Sequence, residues 1–369
     1  MTKSKIIALI AVISLAFATT AIDNAVAHGP KQPPHQIADL GELVLESGGV
    51  IKNLRMSYVT HGKLNQAKDN AMLCMHGFGA NHHHWDRYIG PGKPLDTDKY
   101  FIITSDTFGN TQIGFEHSTS PTNSGFKMDF PAFNMRDTVN AEYKLIKEGL
   151  GIDHLLAVTG ISMGASKALQ FAISYPDFMD GIILTVGGAI WTTEIMYYMT
   201  ELQSIIEACA GWNEGNYEAN PRDCAAAALR SFVPAFWSRA WWNENITTPE
   251  AFQQWKQLWD KWYFGLQDAR DLYLLSQASA RSDIATTPGF NGDLMAVLKS
   301  VKAKALFITS PYDRWYLPEH IEVQHKAIPD SRIVSINSNA GHLLTAGDPN
   351  ARWAAGEAIR GFLRELEAK

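Results

Sequence analysis

Ser162 stands in Gly160-Ile161-Ser162-Met163-Gly164, a G-x-S-x-G motif. A serine hydroxyl is a poor nucleophile at its own pKa. A chain that uses one must also carry a general base and a group that orients the base. Two later residues have the right types. Asp313 lies in Thr309-Ser310-Pro311-Tyr312-Asp313, and His342 lies in Asn339-Ala340-Gly341-His342. Serine, acid, histidine is the chain order expected when the nucleophile sits on a strand-to-helix elbow. Of the twelve histidines, only His320, His325 and His342 follow Asp313, and the first two fall in a predicted helix where solvation is expected. Asp330 and Asp348 are the weaker competitors for the acid. A tetrahedral intermediate also needs N–H donors for its oxyanion. Met163, next after the serine, supplies one. The Phe78 N–H, in His76-Gly77-Phe78-Gly79, is expected to supply the other. The chemistry these residues would support is acyl transfer through an acyl-serine.

The run His82-His83-His84 raises a metal reading. Zinc ligands must converge from roughly tetrahedral directions, whereas three consecutive histidines diverge. No metal and no cofactor are therefore expected. A single histidine of the run could touch the substrate cleft, because its loop begins at the oxyanion segment.

The elements that must position these groups follow the same logic. The apolar run Leu155 to Thr159 predicts a buried strand, and the alanine-rich stretch after Ser162 predicts a helix ending before Pro176. A strained turn between them requires small residues at 160 and 164, and the helix start points free N–H groups at the serine. Further strands are predicted at Leu40 to Leu45 and Leu54 to Thr60, joined by the Ser47-Gly48-Gly49 turn, and at Ala71 to Met75, which includes Cys74. Others are expected at Tyr100 to Ser105, Gly181 to Val186, Ala303 to Thr309 and Ser331 to Ile336. Helices are predicted at Arg136 to Glu148, Pro318 to Ala327 and Ala351 to Leu366. Residues 107 to 129 read as a long surface loop. Alternating strands and helices argue for a mainly parallel sheet covered on both faces.

The alternation stops near Ala189 and resumes at Ala303. Residues 190 to 300 hold eight of the eleven tryptophans: Trp191, Trp212, Trp237, Trp241, Trp242, Trp255, Trp259 and Trp262. Trp255, Trp259 and Trp262 share one helix face. That face is expected to pack the insertion onto the core, with an aromatic substrate lining as the alternative. Cys209 and Cys224 lie in the same insertion. They could pair in an oxidising compartment or stand as two unrelated thiols.

Residues 1 to 27 have the pattern of an export signal: Lys3 and Lys5, an apolar run from Ile6 to Ala18, and Ala25-Val26-Ala27 before His28. Cleavage after Ala27 and a periplasmic or secreted location are expected, with an uncleaved anchor as the alternative. The proline-rich residues 28 to 36 read as an extended or disordered arm. Removing 27 of 369 residues leaves 342, and removing Lys3, Lys5 and Asp23 moves the formal charge from −6 to −7. An acidic chain without a basic run has no nucleic-acid footprint. No second stretch is long enough to span a bilayer.

Several stretches together resemble the homoserine acetyltransferase family of α/β-hydrolase-fold proteins. They are Ser57 to Asn65, Ile89 to Asp106, Phe130 to Asp137, Gly149 to Leu169 with Ser162, the loops of Asp313 and His342, and Gly211 to Pro221. The resemblance implies a mostly parallel sheet flanked by helices. The core would span 28–189 and 301–369, with a helical tryptophan-rich cap at 190–300. It also implies acyl transfer on Ser162, with a small-molecule acyl substrate. A homodimer stays open as the assembled form. The departures bear on function. The family's cap arginine, which grips a substrate carboxylate, has no counterpart in Glu201 to Glu214, where Gln203 stands near its place. The aspartate that usually follows the catalytic histidine is Leu343 here, and the oxyanion segment reads HGFG. Binding a zwitterion without paired charges is costly, and acetyl-CoA is a cytoplasmic metabolite. The expected function is an exported serine hydrolase cleaving an ester, thioester or lactone. The alternatives are an O-acyltransferase using an acyl-CoA donor, and a non-catalytic binding protein on the same fold, against which the filled triad positions argue.

Overall fold

A computed structural model describes residues 33–110, 112, 118–189 and 192–368. The signal segment 1–27, the first residues of the proline-rich arm and Trp191 lie outside the described residues. The strands are β1 (Gln36–Asp39), β2 (Leu43–Val44), β3 (Val50–Ile51), β4 (Arg55–His61), β5 (Ala71–Met75), β6 (Phe101–Ser105), β7 (Leu155–Ile161), β8 (Met179–Thr185), β9 (Lys304–Thr309) and β10 (Ser331–Ser335). Eight of them form one sheet in the order β1-β4-β6-β5-β7-β8-β9-β10. β4 runs antiparallel to both β1 and β6, and every other pairing is parallel.

The central strands are apolar on both faces because both faces are covered. Side chains alternate across a strand. In β5, Leu73 and Met75 join one core cluster, while Met72 and Cys74 join the other. In β9, Ala305 and Phe307 face the first, and Leu306 and Ile308 the second. The first cluster is closed by α1 (Met135–Lys144) and α2 (Met163–Ser174), through Val139, Ala141, Ala165 and Leu169. A buried ion pair ties these two helices together. Lys167 Nζ lies 2.6 Å from Glu142 Oε1 and 2.7 Å from Thr107 Oγ1, with both charged side chains fully buried. Removing one partner of such a pair costs about 3–5 kcal/mol, because the other charge is left buried and unmatched.

The N-terminal hairpin differs from expectation. The Ser47-Gly48-Gly49 turn joins the two-residue strands β2 and β3, while β4 takes β1 as its antiparallel partner. Gly41, at φ +67°, bends the chain out of the predicted longer strand. The expected extended arm therefore ends in a strand of the main sheet. The helix predicted to end at Gly149 is α-helical only to Lys144, and then widens to a π turn over Leu145–Gly149.

Between β8 and β9 the chain forms α3 (Thr193–Glu207), α4 (Arg222–Arg230), α5 (Pro249–Trp262) and α6 (Ala269–Ala280), with shorter helices at Val233–Phe236, Arg239–Asn245 and Leu294–Lys299. Cys209 and Cys224 are joined by a disulfide, their Cα atoms 6.0 Å apart. The tryptophans of the insertion pack against one another. Trp241, Trp242, Trp255 and Trp259 gather around Trp237, at ring separations of 5.3, 5.9, 5.4 and 4.9 Å. Trp237, Trp241 and Trp255 belong to the same apolar cluster as the first face of the sheet, and Trp242 and Trp259 pack against it. The chain closes with α7 (Pro318–Ala327) and α8 (Pro349–Glu367), whose Ile359, Phe362 and Leu363 cover the second face of the sheet. Among the described residues, no helix is long and apolar enough to cross a membrane.

Candidate active site

Ser162 sits between β7 and α2 at φ +58°, ψ −124°, a conformation that an L-residue holds only when its surroundings impose it. Its N–H bonds the Thr185 carbonyl of the neighbouring strand at 2.9 Å. The glycines around it are sterically required. A methyl group on Gly160 would stand 2.0 Å from the backbone of Gly164, and one on Gly164 would stand 2.3 Å from the Met75 carbonyl. Gly187, after β8, approaches from the other side, where a methyl would meet the Ser162 carbonyl at 2.4 Å.

Asp313 and His342 are brought to this turn from the loops after β9 and β10. Asp313 is buried, and its Oδ1 accepts the N–H groups of Trp315 and Tyr316 at 2.8 and 3.0 Å. His342 Nδ1 lies 3.2 Å from Asp313 Oδ2, and its Nε2 lies 2.8 Å from Ser162 Oγ. The carboxylate contact places the imidazole proton on Nδ1, so Nε2 faces the hydroxyl as an acceptor. Gly341, at φ +62°, lets the chain turn under the Tyr312 carbonyl, where a methyl would come to 2.9 Å. The competing acids are engaged elsewhere. Asp348 caps α8 through the N–H groups of Asn350 and Ala351, and Asp330 stands beside Lys304 at the surface. His320 and His325 are half-buried in α7 rather than solvated, and His325 Nδ1 contacts Ser331 Oγ at 2.9 Å.

The HGFG segment lies against the serine. A methyl built on Gly77 would be 3.4 Å from Ser162 Cβ. His76 accepts the Thr107 N–H on Nε2 at 2.9 Å, so its Nδ1 donates to the Gly77 carbonyl at 2.8 Å. The Gly77 N–H donates to His84 Nδ1 at 3.1 Å. From the insertion, the Tyr263 hydroxyl donates to the Phe78 carbonyl at 2.6 Å, and Gln267 Nε2 donates to the Gly79 carbonyl at 2.8 Å. Met163 begins α2, and the first N–H groups of a helix have no partner within it. Burial lowers the pKa of His76 to about 3 and that of His84 to about 4, so both rings are neutral at ordinary pH.

The three consecutive histidines do diverge. His82 Nδ1 meets Asp106 Oδ1 at 2.9 Å, His83 Nδ1 meets Asp86 Oδ2 at 2.8 Å, and His84 turns to Gly77. His35, His82 and Asp106 offer donor atoms within 4.8 Å of one another. However, His35 Nε2 stands 2.8 and 3.3 Å from the two nitrogens of the His82 ring, beside it rather than along a lone pair. As arranged, these groups are not a coordination set.

The remaining surroundings of His342 are aromatic. Phe236 stacks on it at 5.6 Å, with Trp315 and Tyr316 at 6.0 and 5.9 Å. Phe232 bridges Trp315 and Phe78 at 4.8 and 5.8 Å, and Tyr198 stacks on Trp315 at 5.4 Å. Sequence reasoning allowed one histidine of the 82–84 run near the site without singling out His84, and it missed Tyr263, Gln267 and this cluster of rings. Tyr263 and Gln267 reach the segment across more than 180 residues, and His84, though only seven residues from Gly77, carries no spacing that sets it apart from His82 and His83.

The family described as alpha/beta hydrolase fold matches residues 70–344. The chain belongs to the alpha/beta hydrolase fold family. Within it, the chain is 30% identical over 335 residues to a protein of Corynebacterium glutamicum named a probable esterase, covering 87% of this chain and 93% of that one. It is 32% identical over 351 residues to a homoserine O-acetyltransferase of Methanohalobium evestigatum, covering 84% of this chain and 70% of the relative. Among solved structures it superimposes on an acetylester hydrolase from Corynebacterium glutamicum with a TM-score of 0.81 and 28% identity, over 95% of this chain and all of the other. Esterases and acyltransferases are thus its relatives, and this alpha/beta hydrolase is an enzyme of that class.

Proposed function

We propose that the chain is an exported serine hydrolase that cleaves esters of short acyl groups. The observation that carries the reading is the 2.8 Å contact between Ser162 Oγ and His342 Nε2, with Asp313 behind the imidazole. In the first step Ser162 Oγ bonds to the acyl carbon and its proton passes to His342 Nε2. The oxyanion is held by the N–H groups of Met163 and Phe78. His342 then gives the proton to the leaving alcohol as the C–O bond breaks. Water repeats the sequence on the acyl-serine, and Asp313 keeps the ring in the working tautomer throughout. Residues 190–300 act as a cap on the core of 28–189 and 301–369. The Cys209–Cys224 disulfide supports an oxidising compartment after removal of residues 1–27.

The groups around His342 favour an uncharged substrate over a zwitterion. Of the insertion's arginines, Arg230 pairs with Asp260, Arg270 bonds the Gly215 carbonyl and Arg281 bonds the Phe133 carbonyl, while Arg222 and Arg239 are exposed. A second reading, O-acyl transfer from an acyl-CoA, is supported by the homoserine O-acetyltransferase relative. The test is turnover of p-nitrophenyl acetate by the mature chain. Ser162→Ala is expected to lower kcat by about 10⁴-fold or more, and unchanged activity overturns the reading. Release of CoA from acetyl-CoA that homoserine accelerates above the rate in water would establish transfer instead.

A further inference from the structure

Gly77 presents a mechanical problem. A side chain there would be crowded: a methyl would meet His84 Cε1 at 3.2 Å, the Ile161 carbonyl at 3.3 Å and Ser162 Cβ at 3.4 Å. Glycine is also the residue with the most backbone freedom. The peptide that follows it carries the Phe78 N–H, and a donor that wobbles contributes little, because oxyanion stabilisation depends on preorganised geometry. Something outside the glycine must hold it. Two imidazoles do so, one on each side of its Cα. His84 Nδ1 accepts the Gly77 N–H and fixes the peptide before it. His76 Nδ1–H holds the Gly77 carbonyl and fixes the peptide after it. That carbonyl and the Phe78 N–H share one planar unit and point in opposite directions, so pinning the oxygen aims the N–H.

The geometry points to His84, acting with His76, as a positioning residue that holds the Gly77 backbone so that the Phe78 N–H faces the oxyanion at Ser162. This rests on the reading of Ser162 as nucleophile. The pair is polarised in a definite sense: His84 accepts on Nδ1, and His76 donates from Nδ1 because its Nε2 is occupied by the Thr107 N–H. Each ring must stay neutral to play its part, and the desolvation of both keeps it so. His84 touches no reacting atom in this scheme. It acts through one backbone N–H, and its loss should therefore appear in the transition state and not in substrate binding.

Two variants of similar size separate this from packing. His84→Leu fills the space and accepts nothing, while His84→Gln retains an acceptor. With p-nitrophenyl acetate, His84→Leu is expected to lower kcat by about 10–100-fold with KM within about twofold, less than removal of an oxyanion donor outright. Its affinity for an aryl trifluoromethyl ketone, which forms a tetrahedral oxyanion on the serine, should fall by the same factor. His84→Gln should recover most of both. Equal kcat in the two variants, or a loss confined to KM, overturns the proposal. If His84→Leu does not fold, His84→Ala is read against His84→Gln by the same two measurements. Ser162→Ala is assayed beside them: if it retains activity, the nucleophile assignment itself fails. If it is inactive while His84→Leu matches the wild type in kcat and ketone affinity, only the positioning role falls.

Discussion

On the sheet side of the site, each polar group is held by directional bonds and close backbone contact. Ser162 is wedged among Gly160, Gly164 and Gly187, Asp313 is tied by two N–H groups, and His342 is oriented by Asp313. On the insertion side, the groups that reach His342 and the HGFG segment are rings and single hydroxyl or amide tips: Phe232, Phe236, Tyr263 and Gln267. The two sides obey different physics. Hydrogen bonds to charge and strained turns lose their function when moved by a fraction of an ångström, whereas the apolar burial that dominates the insertion side tolerates exchange at a cost nearly proportional to area, its two neutral hydrogen bonds apart. Under the proposed function, the sheet side would set the reaction and the insertion would set which acyl compound reaches it.

The sharpest way to break this contrast is at Asp313. Under the proposed roles, Asp313→Asn leaves the volume unchanged but presents an amide to His342 Nδ1, which favours the wrong tautomer. A fall in kcat of about 10⁴-fold is expected, with the circular dichroism spectrum and melting temperature close to the wild type. A fall below tenfold would show that the sheet side is not the strict partner described here.

A smaller effect is expected from the insertion's own fastening. The disulfide spans a separation of 15 residues, for which loop-closure entropy gives about 3 kcal/mol. Cys209→Ser with Cys224→Ser should lower the melting temperature of the tryptophan cluster around Trp237, followed by fluorescence, while kcat at 25 °C stays within about threefold. If the sheet, followed by circular dichroism, melts earlier by the same amount, the two regions are one cooperative unit and the division drawn above is wrong for stability.

The same contrast governs what was legible in the sequence. β7, β9, β10 and α7 follow from short apolar runs and a helical pattern with Pro318 at its start, since local chemistry decides them. Ser162, Asp313 and His342 could be placed because each is defined by what precedes it in the chain, an elbow or the end of a strand. The hairpin at residues 43–51 was misjudged because two-residue strands carry almost no periodicity and one left-handed glycine redirects the chain. The periodicity of α5 marks Trp255 and Trp259 as an inward face, but it does not foretell that this face meets Trp237 as well as the common apolar cluster. His84, seven residues from Gly77, and Tyr263, 185 residues from Phe78, meet the HGFG segment through tertiary contact alone.

The smallest expected effect lies where the two regions touch. Tyr263 is the insertion's hydrogen-bond donor to the Phe78 carbonyl, at 2.6 Å. That carbonyl belongs to the peptide after the one that carries the Phe78 N–H, so its loss should disturb the oxyanion donor only indirectly. Burial raises the pKa of Tyr263, so its hydroxyl stays protonated and remains a donor across the working range. Tyr263→Phe removes one neutral hydrogen bond and leaves the ring against Trp259 and Phe264. A loss of about 1 kcal/mol in stability and a two- to threefold fall in kcat on p-nitrophenyl acetate are expected. The fall should be no larger for longer acyl chains. If it grows with chain length, Tyr263 reads the substrate. If kcat instead falls as far as in His84→Leu, the insertion helps to set the oxyanion geometry, and the separation between reaction and selection would have to be redrawn at this one hydroxyl.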